Sequence, residues 1–309
     1  MAVKRIVAVA IGPRRDSPIG AAGAAVNVRP YVAGLIKGLT ERGHHLGPDY
    51  EIDYKERPHS ELSNGHGSDV FGGDGHAAYD IIFAMSTNVV RAAKEAGHAT
   101  PIVGVVSDHR AEGFSRTRTI TGISARRSHT AGQCFEYFLA TVPTLKKVRV
   151  LHKPKYGPSE RSLKLVKAAA KKRGVAVEVL SVQTREDIEK KLKAMAKRDL
   201  KKPAEAGVLV LPVDVALGAA QLIIDLAQGQ KNVPAFFPVT DFVKNGALGG
   251  YGVPQHTCGL LMADYVARIL WQSAQPQSLK VTEAGSGDFE WAVSRAAADA
   301  LNVRLPHII

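Results

Sequence analysis

The chain has 309 residues, 45% apolar and 23% charged, an ordinary globular balance with length for one large or two medium domains. Two cysteines, Cys134 and Cys258, are too few for a disulfide scaffold or a cysteine zinc site, and no run approaches the length of a membrane-spanning helix. The net charge of +12 is concentrated in residues 146–202, which hold 19 Lys or Arg against 6 Asp or Glu. With few aromatic residues to stack on bases, that stretch reads as basic outer helix faces and no nucleic-acid partner is expected.

Val3–Ile11 is nearly all apolar and predicts a central parallel strand. Because the apolar run starts straight after Arg5, it reads as the first strand rather than a secretory leader. The expected location is the periplasm if a leader has been removed and the cytoplasm if the sequence is complete. A loop over 12–26 follows, then a helix capped by Asn27 and ended by Gly43. Tyr50–Glu56 alternates as a strand does. Pro58–His76 is rich in Gly and His and reads as a long functional or mobile loop. Tyr79–Met85 and Pro101–Val106 are buried strands with Ser86, Thr87 and Asp108 at their carboxyl ends. Thr119–Ile123 is a short strand at a first crossing into a second lobe.

The second lobe repeats the βα rhythm. Strands are expected at 147–152, 175–182, 207–211 and 233–238, and helices at 128–141, 159–172, 184–197 and from Asp214 to Gln228. Thr184 and Asp187 form a capping box. Gly246–Trp271 combines a strand (Ala247–Tyr251), a glycine turn and a helix with Cys258, Leu261, Met262, Tyr265, Ile269 and Leu270 on one stripe. It reads as a return to the first lobe. The expected division is therefore residues 1–122 plus 247–278 for lobe one and 123–246 plus 279–309 for lobe two. Ser278–Val281 is a further candidate crossing, Phe289–Val293 a short strand and Arg295–Leu301 the last helix.

This series of elements carries a family resemblance. Tyr79–Met85 with Ser86–Thr87, Pro101–Val106 with Asp108, Thr121–Gly122, the run Gly246–Gly252 before a helix, and the closing Phe289–Val293, Ala297 and Asn302–Pro306 resemble the ABC transporter substrate-binding proteins typified by tryptophan/tyrosine binders. The resemblance spans nearly the whole chain. It implies an α/β protein of two Rossmann-like lobes with parallel sheets and a ligand cleft, of periplasmic binding protein type 1. It also implies a small-molecule ligand, often an aromatic amino acid, a membrane permease as partner, and no chemistry. The sequence departs from the family at Pro58–His76 and in the SDHRAEG loop after Pro101–Val106.

A zwitterion needs donors for its carboxylate and a carboxylate for its ammonium. Ser86 and Thr87 are candidates for the first, with helix capping as the competing role. Asp108 and Asp214 are candidates for the second, with turn formation and capping as competitors. Tyr156 and Tyr251 offer aromatic walls or core packing. Arg14 and Arg15 offer anion contacts or solvated charge. The eleven histidines form no ligand motif, and neither a dinucleotide fingerprint nor a Walker motif is present. No metal or cofactor is therefore expected, and a monomer or weak dimer is. Two alternatives stay open: a cytoplasmic sensor or regulatory binding protein, and a racemase- or isomerase-like enzyme using Cys134 and Cys258 as acid/base pair.

Overall fold

Strand β1 (Lys4–Ile11) has a buried centre, with Ile6 to Val9 fully enclosed. In the computed structural model it lies between two parallel neighbours, β3 (Tyr50–Arg57) and β4 (Ile81–Ala84). The structure describes residues 2–11, 15–19, 29–58, 61–62, 70–71, 79–97, 99–110, 112–114, 117–199 and 205–305. Two units result, Met1–Ala125 with Gln255–Ala284 and Arg126–Pro254 with Gly285–Ile309.

In the first unit, β2 (Arg15–Ile19) is antiparallel to β3, a strand inside the stretch expected to be only loop. The other side of β4 carries β5 (Ile102–Val106), β6 (Ile120–Ser124) and the two-residue β12 (Thr282–Glu283), all parallel. The sheet order is β12-β6-β5-β4-β1-β3-β2. Helix α1 (Pro30–Thr40) starts with proline at its first position, where the missing N–H costs nothing. Asn27, its expected cap, lies outside the described residues, as do Arg14 and most of Pro58–His76. Helix α2 (Thr87–Glu95) follows β4.

The second unit builds a sheet ordered β13-β11-β10-β9-β7-β8. Its strands are β7 (Lys147–His152), β8 (Ala176–Ser181), β9 (Ala206–Val210), β10 (Ala235–Phe237), β11 (Gly249–Gly252) and the antiparallel edge β13 (Glu290–Val293). Helices α3 (Ala131–Thr141), α4 (Gly157–Arg173) and α5 (Arg185–Asp199) connect them. Thr184 and Asp187 cap α5 reciprocally, at 3.2 Å in both directions. The helix expected from Asp214 to Gln228 is broken into α6 (Asp214–Gly218), α7 (Ala220–Ile223) and a π turn over Ile224–Gly229. Helix α9 (Arg295–Ala300) is held by Ser294, whose Oγ accepts from the Ala297 N–H at 3.1 Å.

One placement corrects the sequence reading. The strand expected to return to the first lobe, Ala247–Tyr251, pairs as β11 with β10 and β13 and belongs to the second sheet. Its glycines give the reason. A Cβ on Gly250 would meet the Val239 carbonyl oxygen at 2.3 Å, and one on Gly252 the Pro238 carbonyl oxygen at 2.1 Å. The bare backbone of β11 therefore lets the segment leaving β10 run across it. The return comes one element later, with helix α8 (Gln255–Gln272).

Helix α8 packs on α1 at very close range. A Cβ on Gly34 would meet the His256 carbonyl oxygen at 2.0 Å, and one on Gly259 the Tyr31 carbonyl oxygen at 2.0 Å. Its buried stripe runs through Cys258, Met262, Tyr265 and Val266, whereas Leu261, Ile269 and Leu270 are only half-buried. His44 closes the far end by stacking on Trp271, with 3.7 Å between ring centroids and 9° between planes.

Candidate functional site

The carboxyl edge of the first sheet gathers hydroxyls and carboxylates. Ser86 stands between β4 and α2, and its Oγ accepts from the Val89 N–H at 3.3 Å. The buried Thr87 Oγ1 accepts from the Ser107 N–H at 3.1 Å, tying the ends of β4 and β5 together. Both hydroxyls therefore cap backbone, as the competing role had it. Each still has an O–H to donate, because a hydroxyl accepts and donates at once. Asp108 is 4% exposed, and its Oδ1 accepts from the Arg110 N–H at 3.2 Å. That is a turn-forming bond.

A second group on this edge escaped the sequence reading. Arg29 donates from Nε to Glu56 Oε1 at 2.9 Å and from Nη2 to the carbonyl of Ile11, where β1 ends, at 2.7 Å. The Tyr54 hydroxyl donates to the same Glu56 oxygen at 2.5 Å. Arg57, almost fully buried, reaches Asp16 Oδ1 at 2.5 Å. The alternation of Tyr50–Glu56 signalled the strand, but residues 27 and 41 positions apart that meet here leave no local pattern.

In the second unit, Tyr156 is the N-cap residue of α4 and Lys153 Nζ lies 5.7 Å from its ring centroid. Asp214 is the first residue of α6, half-buried, with its carboxylate at a helix start. Two polar atoms near these strand ends are buried without a hydrogen-bond partner among the described residues: Ser128 Oγ and His152 Nδ1. Such atoms mark positions where water or ligand is expected.

Tyr251, near the carboxyl end of β11, is the centre of an aromatic group. Its ring stacks on Tyr137 of α3 (4.4 Å, 30°) and on Phe289 (5.7 Å, 23°), and Trp291 lies 4.8 Å from Tyr137. Burial pushes the Tyr251 phenol above its ordinary pKa, so it stays protonated and able to donate near neutral pH. Tyr251 and Phe289 wall a cavity of about 570 Å³ whose remaining lining includes Leu165, Arg126, Glu136 and Lys172. Glu136 is already engaged by Arg173 Nε at 2.9 Å. Arg126 is a non-glycine residue with a left-handed φ of 50°, a conformation that costs energy.

Both cysteines are buried. Cys134 is 2% exposed, and its thiol donates to the Phe237 carbonyl at 3.5 Å. Burial pushes it up to about 12, leaving no thiolate to act as base at neutral pH. Cys258 is fully buried in α8, in the other unit. Among the described residues no group of three or more His, Cys, Asp or Glu is gathered to hold a metal, and no helix is long and apolar enough to cross a membrane. His59, His66 and His76 lie outside the described residues.

A family model described as ABC transporter substrate binding protein matches residues 27–309. No curated protein matches the sequence. Among solved structures, a conserved domain protein from Vibrio cholerae O1 biovar El Tor superposes with a TM-score of 0.76 at 22% identity, covering 99% of this chain and 97% of that one. The ABC domain in complex with L-Trp from Streptococcus pneumonia gives 0.76 at 16% identity over the same shares. A ligand-free, open substrate-binding protein with adhesive properties from Clostridium difficile gives 0.61 at 19%, again over 99% and 97%. At these identities the likeness is one of fold.

Proposed function

Because the chain belongs to the family of ABC transporter substrate-binding proteins, and so binds a small solute for a permease, we propose that its solute is an aromatic or other amino acid or a related carboxylate, held reversibly and without turnover. The observation that carries this reading is the cavity walled by Tyr251 and Phe289. Its size lies within the range of small-molecule sites, roughly 300–1,000 Å³. Aromatic walls favour a ring or an apolar side chain. With Glu136 engaged by Arg173, Arg126 and Lys172 leave the cavity's charge positive, which favours a carboxylate.

The strand-end residues supply the other half of the reading. Ser86, Thr87 and Asp108 are the proposed contacts that the first unit offers, and Tyr156, Asp214 and Tyr251 those that the second unit offers, each taken by itself. In the first unit the Ser86 and Thr87 hydroxyls are donors suited to a carboxylate and Asp108 is an acceptor suited to an ammonium, a role that Asp214 offers in the second. Arg29 and Glu56 join them as a pre-organised ion pair at the end of β1. Such groups are already ordered, so a ligand that uses them pays little for immobilising side chains.

A thermal-shift panel of amino acids and small carboxylates tests the proposal. A specific solute raises the melting temperature by mass action, logarithmically in its concentration over Kd, about 2.7 kcal/mol of added stability at one hundred times its Kd. Recovery of the solute unchanged after prolonged incubation is expected. Turnover lost on replacing Cys134 and Cys258 would instead establish the enzyme.

A further inference from the structure

The first unit has a second cavity, also of about 570 Å³, that the solute reading leaves unused. Thr117 and Arg118 bring its lining in just ahead of β6, and Lys280 just ahead of β12. These two strands are parallel, so both approaches come from their amino ends. Ser86 and Thr87 stand at the opposite, carboxyl edge of the same sheet. His109 and Arg110 reach it from the other direction, along the loop that follows Asp108 at the carboxyl end of β5, and complete the lining.

The charge of this lining is one-sided. Arg110, Arg118 and Lys280 contribute cations, and among the described residues no acidic side chain lines the cavity. The carboxylates next to it are accounted for. Glu283 sits 4.0 Å from Arg110 Nη2 and partly offsets that cation, Glu112 is engaged by Arg91, and Asp108 is bonded to the Arg110 backbone N–H, so Arg118 and Lys280 carry the uncompensated charge. Neither Arg118 nor Lys280 has an ion pair among the described residues. The cavity is also built rather than incidental. The Thr121 hydroxyl donates to the Leu279 carbonyl at 2.8 Å, and the Phe114 N–H donates to the His109 carbonyl at 3.2 Å, so both lining segments are fixed.

We propose that this cavity is an accessory site for a multivalent oxyanion of the phosphate type, separate from the solute site. Arg118 and Lys280 neutralise its charge from the strand approaches, Arg110 adds to them from the β5 loop, and Gln277 donates a hydrogen bond at the rim. Gathered cations with no internal carboxylate repel one another, and a divalent anion removes that repulsion while adding charge-assisted hydrogen bonds. A monovalent carboxylate removes less of it and binds more weakly.

The test is a calorimetric titration with inorganic phosphate alone, at roughly 20 mM ionic strength so that screening is slight. It needs no knowledge of the solute, so its failure is separate from failure of the transport reading. One saturable phosphate site is expected, with acetate binding at least about tenfold more weakly. Arg118→Gln with Lys280→Gln should weaken phosphate about tenfold or more, by loss of two charge-assisted contacts. Lys164→Gln with Lys167→Gln removes the same charge from the exposed face of α4 and should leave phosphate affinity within about twofold. No saturable binding, acetate binding as tightly as phosphate, or equal weakening in both double variants would overturn the proposal.

Discussion

Tyr251 lines the second unit's cavity and also stacks on Tyr137, so its ring serves both the proposed ligand and the packing of α3 on β11. Tyr251→Ala should cost solute binding about 1.5–3 kcal/mol of lost apolar burial. Tyr251→Phe keeps the ring and should cost under about 1 kcal/mol. Calorimetry on both variants separates the two contributions, and equal losses would place the effect on the phenol hydroxyl. For the ammonium, Asp108→Asn or Asp214→Asn should weaken binding by about 2–5 kcal/mol at whichever position pairs with it. Both being silent, with the fold intact by circular dichroism, would mean that neither carboxylate holds an amine.

Glu178, on β8, belongs to the same scale. Burial raises its pKa, but the hydrogen bond from Lys147 and the charge of the buried Arg149, at 3.0 and 3.1 Å, outweigh that and hold it below the usual carboxylate value. A depressed carboxylate contributes stability that is present above its unfolded pKa, near ~4.3, and lost as pH falls through the folded value. Denaturant midpoints should therefore drop as pH falls below about 4.3, and Glu178→Gln should flatten that drop. A variant that keeps the full pH dependence would contradict this assignment.

At the scale of elements, glycines and one glutamine decide which helix and strand meet. Gly34→Ala or Gly259→Ala forces α1 and α8 apart, because each new Cβ would lie about 2.0 Å from a carbonyl oxygen of the facing helix. Each should cost about 1–3 kcal/mol or more by overpacking, measured by denaturant unfolding. Gln228, in the π turn, accepts from the N–H groups of Ala235 and Leu248 at 3.1 and 2.8 Å and donates to the Gly246 carbonyl at 2.7 Å. Gln228→Leu should cost about 2 kcal/mol or more, since it leaves the buried N–H groups of Ala235 and Leu248 unpaired.

These elements also mark what was legible in the sequence. Apolar runs such as Val3–Ile11 and caps such as Thr184–Asp187 are local, and both units' parallel strands followed from them. The allocation of β11 was not local. Its glycines resemble a hinge or a phosphate turn in sequence, and only the closeness of Pro238 and Val239 explains them. Ser86, Thr87 and Asp108 were legible because strand ends in βα units are predictable. The Arg29–Glu56 pair was not, because Arg29 stands at the start of α1, 27 positions from Glu56 on β3; only the Tyr54–Glu56 contact within β3 is local.

At the scale of the whole molecule, the family assignment and the two sheets describe a protein whose work is binding. Nearly all the net charge falls within residues 146–202, and Lys164, Lys167 and Lys171 lie exposed at helical spacing on α4. That spacing places like charges side by side, which is mildly destabilising. The central claim is that this chain holds an amino acid or related carboxylate reversibly, and the most direct measurement is isothermal titration of purified protein with the compound that raises its melting temperature most. The account predicts one saturable site per chain, a negative heat-capacity change from apolar burial against the Tyr251 wall, and loss of about tenfold or more in affinity with Tyr251→Ala. Heats that stay at the dilution level for every amino acid and small carboxylate in the panel would contradict it.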